Sequence, residues 1–202
     1  FASVLGRETR VASPRELTVP SKDGYPVHGW VFTPEGPGPH PVILNIHGGP
    51  HAQYGWGYFD EAQVYTEAGY AVLQCNPRGS AGYGREHGTA IQGRMGTLDM
   101  QDVLAFLRGA LTADSTLDKK RLGIMGGSYG GYLTAWTIAH TDRFAAAIVE
   151  RGYLDPWAFI GTSDIGWFFP QQYNGDRERM DAQSPMLLTD AVTTPTFVIH
   201  SE

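Results

Sequence analysis

Cysteine is nearly missing from this chain: there is one, Cys75, in 202 residues. A single thiol excludes an internal disulfide and suits a reducing, cytoplasmic compartment. No apolar run approaches the roughly 18 residues of a membrane span, and no signal peptide opens the chain. Positive charge is scarce as well. Lys and Arg total 15 against 21 Asp and Glu, a net charge of −6. No basic run and no aromatic-basic alternation occurs, so nucleic acid is not expected as a partner. His-Glu-x-x-His, paired Cys/His sets and the glycine-rich phosphate motifs are all lacking. No metal or cofactor is therefore expected. The first residue is Phe rather than Met, which reads as a piece of something longer or a processed product.

What is present is punctuation and alternation. The 26 glycines and 13 prolines mark many turns between short apolar runs. Residues 1–14 have no clear period and read as a lead-in segment or linker. Glu16–Val19 and Val27–Phe32 alternate around a Ser21–Gly24 turn, the pattern of an antiparallel hairpin at a sheet edge. Pro41–Ile46, Ala71–Cys75, Arg121–Met125, Phe144–Val149 and Thr196–His200 are continuous apolar runs, as in strands covered on both faces. Helical spacing appears over Asp60–Ala68, and over Leu98–Leu111 through Met100, Val103, Leu104, Leu107 and Leu111. Asp99 and Asp102 fall in the first turns of the latter, where they favour the helix dipole. This alternation predicts an α/β domain over 15–202, with a mostly parallel sheet and helices on both faces.

The stretch that carries chemistry is Leu122-Gly-Ile-Met-Gly-Gly-Ser-Tyr-Gly-Gly-Tyr132. It reads as a buried strand, a tight turn and a helix start. Gly126-x-Ser128-x-Gly130 is the pattern of a nucleophile elbow. A serine there clears the backbone only in a strained turn, and flanking side chains would collide. The helix that follows aims its first amides at the charge that develops when a hydroxyl attacks a carbonyl. Tyr132, Leu133, Trp136 and Ala139 are expected to form that helix's packing face.

His47-Gly-Gly-Pro50, at the carboxyl end of the third strand, is either a plain tight turn or the source of an oxyanion amide. Paired with the elbow, the oxyanion reading is preferred, with Tyr129 as the other donor. In the glycine-rich loop Asn76–Gly84, Arg78 either meets substrate or braces the loop against a carboxylate, and bracing is the commoner fate. Tyr153, Trp157, Phe159, Ile160, Trp167, Phe168, Phe169 and Tyr173 crowd a short segment after a strand's carboxyl end, where open α/β sheets bind ligands. They read partly as pocket wall and partly as core.

His47-Gly-Gly-Pro50, Asn76-Pro-Arg-Gly-Ser-x-Gly-Tyr-Gly84 and Gly126-Gly-Ser-Tyr-Gly-Gly131, in that order, resemble the catalytic domain of the prolyl oligopeptidase family of serine peptidases. The turn and the Thr162–Ile165 region are most similar to its acylaminoacyl-peptidase branch. The resemblance covers about residues 15–202. It implies an α/β-hydrolase fold acting on short peptides, with Ser128 as nucleophile and the Tyr129 and Gly49 amides as oxyanion donors. It also implies Trp157, Phe159, Ile160 and Phe168 as substrate-binding residues. Its full-length members carry an N-terminal β-propeller, expected here as another part of the same protein, and a homo-oligomer is left open. The family's His-x-x-x-Asp pattern begins at His200, which puts the catalytic Asp, and then the His, past Glu202. The domain is thus expected to be C-terminally incomplete, with poor solubility on its own. After Ser128 only His140 and His200 remain. His140 ends the elbow helix, about 12 residues on at ~1.5 Å each, and His200 matches a structural histidine. A carboxylesterase or lipase on the same fold, and an inactive fragment kept as a scaffold, are the alternatives.

Overall fold

The computed structural model describes residues 11–201. Most of the expected lead-in, residues 1–10, lies outside the described residues. Residues 11–14 form no helix or strand. Gln63 clasps the Ala12 backbone, accepting its N–H at 2.8 Å and donating to its carbonyl at 3.1 Å.

Among the described residues seven strands make one sheet, in the order β1-β2-β4-β3-β5-β6-β7. β1 (Arg15–Pro20) and β2 (Pro26–Phe32) form the expected antiparallel hairpin at one edge. β2 also pairs antiparallel with β4 (Ala71–Asn76). β3 (His40–Ile46), β4, β5 (Leu117–Gly127), β6 (Ala146–Glu150) and β7 (Thr196–Ile199) run parallel. The strand–helix alternation predicts this arrangement, because parallel neighbours need a crossover between them.

Period-two alternation sorts the strand residues onto two faces. Val42, Leu44 and Ile46 of β3, Leu73 of β4, and Leu122 and Ile124 of β5 join one large core. α3 (Leu98–Ala113) and α4 (Tyr129–His140) cover it with Val103, Phe106, Leu107, Tyr132 and Leu133. The opposite face holds a smaller cluster of Trp30, Phe32, Tyr54, Ala62 and Val72, under α1 (Asp60–Glu67).

Three expectations need correction. α4 has no single packing face: Thr134, Thr137 and Ile138 are buried along with Tyr132, Leu133 and Trp136, while Ala139 is only half-buried. The helix sits centrally and is surrounded, so it reads as apolar all round. Asp99 alone lies in the first turn of α3, and both it and Asp102 are fully buried side chains with specific partners rather than surface charges. β7, read as a buried strand, is exposed along its whole length, with Phe197 63%, Val198 54% and Ile199 44% exposed. It is an edge strand with no helix over it among the described residues.

After β6 the chain breaks into short helices: α5 (Pro156–Thr162), α6 (Phe169–Tyr173) and α7 (Arg177–Ala182), then a 3-10 helix, Pro185–Ala191. α5 begins where Asp155 accepts the Trp157 and Ala158 N–H groups, with Pro156 in the first turn. A further short helix, α2 (Arg85–Thr89), follows the 76–84 loop.

Candidate active site

Ser128 stands between β5 and α4 with φ 59 and ψ −118, a left-handed conformation for a residue other than glycine. Such strain persists only where the surroundings impose it. Here the end of β6, the first turn of α4 and the segment after β6 do so. Ser128 N–H donates to Glu150 O at 3.0 Å, and its carbonyl accepts from Tyr132 N–H at 2.9 Å and Tyr153 N–H at 3.2 Å. The flanking glycines are required by close approach. A Cβ on Gly126 would lie 2.6 Å from Gly130 C and O and from Ile46 O, and one on Gly130 would run into the Ile46 carbonyl. Ser128 is exposed while Tyr129 and Gly130 beside it are buried. The elbow thus lifts one hydroxyl clear of the sheet.

The His47–Pro50 turn lies against it. A Cβ on Gly48 would be 3.3 Å from Gly127 O and 3.6 Å from Ser128 Cβ. Gly48, which the sequence reading passed over in favour of Gly49, therefore faces the serine directly. Gly49 follows at φ 121 and is exposed. The turn is pinned from behind. His47 Nδ1–H donates to Gly48 O at 2.6 Å, and its Nε2 lies 2.9 Å from Ser80 Oγ. Burial holds the His47 ring below the ordinary histidine range. His51 Nδ1–H donates to Gly79 O at 2.8 Å.

The 76–84 loop that receives these bonds is itself braced by Arg78. Its Nε and Nη2 reach Asp102 at 2.9 and 2.7 Å, and its Nη1 reaches Asp23 at 2.6 Å. The Arg78 backbone N–H also donates to Asp102, at 3.0 Å, and the guanidinium lies 4.6 Å over the Tyr25 ring. Arg78 is 6% exposed and Asp102 fully buried. The arginine is committed to the loop, which is the bracing role, and its charge is held by a fork that a lysine would not reproduce.

A cavity of about 410 Å³ opens beside Ser128. Gly48, Gly127, Tyr54, Tyr58, Phe59, Glu150 and Arg151 are among the residues that line it. None of Trp157, Phe159, Ile160 and Phe168 does. Phe159 packs edge-on to Tyr153 at 4.7 Å and joins the margin of the main core. Trp157 takes the Arg177 guanidinium on its ring at 4.2 Å. Phe168 meets Trp167 and Phe169, and Ile160 is half-buried on α5. Their partners are thus Tyr153, Arg177 and neighbouring rings, not the cavity. The segment's link to the elbow is the Tyr153 N–H bond to Ser128 O. The aromatic wall that does line the cavity precedes α1. Its signal, Tyr54, Tyr58 and Phe59 just after the His47–Pro50 turn, is present in the sequence but sparser than the run downstream.

No hydrogen bond of the Ser128 hydroxyl occurs among the described residues. Each histidine ring that finds a partner finds it elsewhere: His28 with Glu16 and Tyr83, His87 with Pro77 O and Tyr25, His140 with Trp136 O, His200 with Ser201 O. The described residues form no cluster able to hold a metal ion, and no helix among them is long and apolar enough to cross a membrane.

Comparison with known proteins adds the following. Residues 56–202 match the model of the prolyl oligopeptidase family. An uncharacterized peptidase of Bacillus subtilis, YuxL, is 42% identical over 97% of this chain and 31% of its own length. The acylaminoacyl peptidase of Pyrococcus horikoshii superposes with a TM-score of 0.94 at 32% identity, over 99% of this chain and 34% of that one. A Mycobacterium tuberculosis puromycin-hydrolyzing peptidase superposes with 0.84 at 27% identity, over 93% and 30%. The fold is that of the α/β-hydrolases. The chain spans about a third or less of the length of the curated relatives it matches.

Proposed function

The chain belongs to the prolyl oligopeptidase family, and from that premise we propose that it supplies the nucleophile and oxyanion hole of a serine peptidase acting on short, N-acylated peptides. The observation that carries the reading is Ser128: one exposed hydroxyl on a strained strand-to-helix turn, held through its backbone by Glu150, Tyr132 and Tyr153 and faced by a glycine turn. In the proposed reaction Ser128 Oγ attacks the scissile carbonyl and its proton passes to a base. The carbonyl oxygen, now negative, takes the Tyr129 and Gly49 amides, with Gly48 as the bare spacer that lets the turn come close. The amine departs with a proton, and water then releases the acyl group. This chemistry requires no metal or cofactor.

The base and its carboxylate partner are proposed to lie outside residues 1–202. The support is that every described histidine is occupied away from the serine or carries no bond to it. The length of the relatives supports further parts of the same protein, an N-terminal β-propeller and a C-terminal remainder. Trp157, Phe159, Ile160 and Phe168 are kept as the proposed side of the site that recognises the residue before the scissile bond, since Tyr153 ties their segment to the elbow. The single buried thiol, Cys75, supports a cytoplasmic setting.

The test compares turnover of an acetyl-alanyl anilide with that of a nitrophenyl ester by the full-length protein, together with fluorophosphonate labelling. Ser128→Ala should remove labelling and lower kcat by about 10⁴ or more. An ester-only profile overturns the peptidase reading, and labelling at another residue overturns Ser128. Labelling of the 202-residue chain as fast as the full-length protein shows that the base lies within it.

A further inference from the structure

Asp99 is fully buried at the start of α3 and has no cationic partner among the described residues. Burial pushes its carboxyl pKa up, against the pull of its hydrogen bonds. Holding an acid there is costly, so what it touches is informative. One oxygen accepts the Tyr129 hydroxyl at 2.5 Å and the Gly96 N–H at 3.0 Å. The other accepts the Met100 N–H at 3.0 Å. Tyr129 directly follows Ser128, and its side chain is 1% exposed.

The contact is part of a larger circuit. The Tyr129 ring stacks on Tyr132 at 5.9 Å and Tyr132 on Trp136 at 6.0 Å, while Trp136 Nε1–H donates to Gly96 O at 2.8 Å. So α4 is fastened to the start of α3 at two points. On the other side Tyr153 N–H reaches Ser128 O, and the Tyr153 hydroxyl donates to Asn174 at 2.7 Å. Asn174 donates to Gln183 Oε1 at 3.3 Å, which also accepts the Met95 N–H at 2.8 Å. Met95 precedes Gly96. The bonds close a buried polar ring around the first turn of the elbow helix, with Asp99 as its one carboxylate.

A phenylalanine at 129 would fill the same space without calling for a buried acid. The hydroxyl and the carboxylate therefore fix an orientation, not a volume. We propose that Asp99 is a positioning residue for the reaction: through the Tyr129 hydroxyl it fixes the Tyr129 peptide unit whose amide meets the oxyanion. The proposal rests on the Ser128 reading. An amide displaced by a fraction of an ångström loses transition-state stabilisation while ground-state binding is retained, so the loss falls on kcat.

The test uses the full-length protein with Tyr129→Phe, Asp99→Asn, the double variant and Ser128→Ala. Turnover of an acetyl-alanyl anilide is measured as kcat and KM, with thermal midpoints alongside. Each single variant should lose about tenfold in kcat with KM within about twofold, and the double variant should be no slower than the worse single. Tyr129→Phe removes one oxygen in place, so it carries the test if Asp99→Asn folds poorly. With Ser128→Ala silent, wild-type kcat in Tyr129→Phe, or losses that multiply in the double variant, overturn the positioning role and leave the serine reading intact. Turnover retained by Ser128→Ala overturns both.

Discussion

The two faces of the sheet are built differently. The face under α3 and α4 is closed: Leu44, Leu73, Phe106, Leu107, Tyr132 and Leu133 are all fully buried there. Its two buried carboxylates, Asp99 and Asp102, have strong partners, while the Tyr132, Thr134 and Thr137 hydroxyls on α4 have none among the described residues. The face under α1 is open. Beyond the small Trp30–Val72 cluster it presents Asn45, Gln74, Met125 and Glu150 to the cavity beside Ser128. Asn45 donates to Glu61 at 2.8 Å, while the Gln74 amide nitrogen is buried with no partner among the described residues. α1 itself leaves Val64 62% exposed. The closed face holds the elbow rigid; the open face surrounds the exposed hydroxyl with space. One side therefore concentrates folding energy, and the other leaves room for substrate and for whatever packs there in the whole protein.

The sharpest way to break this comparison is to cut equivalent apolar bulk from each face. Val103→Ala, fully buried on α3 in the main core, should cost about 3 kcal/mol, since closely packed neighbours cannot collapse into the gap. Val72→Ala, fully buried in the small cluster, should cost about 2 kcal/mol, from two methyl groups and a smaller cavity. Urea unfolding of both variants measures the difference. Equal losses, or a larger one for Val72, would mean that the open face carries as much of the core as the closed one.

The closed face and the parallel sheet were the most legible parts of the chain. Val42, Leu44 and Ile46 alternate plainly, and Leu98–Leu111 repeats at helical spacing, because burial on one side imposes a period. The elbow was legible for a related reason: Gly126 and Gly130 are steric requirements, and sterics leave a mark on sequence. Partnerships left none. Nothing in the spacing of Asp99 and Asp102 pairs one with Tyr129, 30 positions on, and the other with Arg78, 24 positions back. Exposure of β7 was illegible too. Thr196-Phe-Val-Ile-His200 has the composition of a covered strand, and its covering is a matter of what lies beside it. The downstream aromatics misled because rings that pack on each other and rings that line a cavity have the same composition.

A smaller effect tests the pinning of the loops above the sheet. Burial holds both His47 and His87 below the ordinary histidine range. As pH falls through about 6.5, the unfolded chain takes up protons that the folded chain refuses. The unfolded state then binds more protons, so folding stability should drop as pH falls through this window and be fully present above it. His87 donates to Pro77 O and accepts the Tyr25 hydroxyl, so His87→Gln keeps polar partners while removing one titration. The slope of stability against pH between about 5 and 7 should flatten in that variant relative to wild type. An unchanged slope would assign the acid sensitivity to His47 or to groups outside these loops.

The smallest expected change lies at the open edge. Phe197 is 63% exposed on β7, beside Val198 and Ile199. In the 202-residue chain Phe197→Lys should leave unfolding stability within about 0.5 kcal/mol, since an exposed side chain has little burial to lose. It should lower self-association strongly, because charge on an apolar edge strand blocks the pairing that its unpaired backbone invites. Sedimentation of the two forms measures this. The same substitution in the full-length protein then sharpens the contrast between the faces. A loss there of about 2 kcal/mol or more would show that Phe197 is buried in the whole protein, and that the open face is open only until its own covering is in place. An equally silent substitution would make the exposed edge a property of the folded enzyme, available for contact with another molecule.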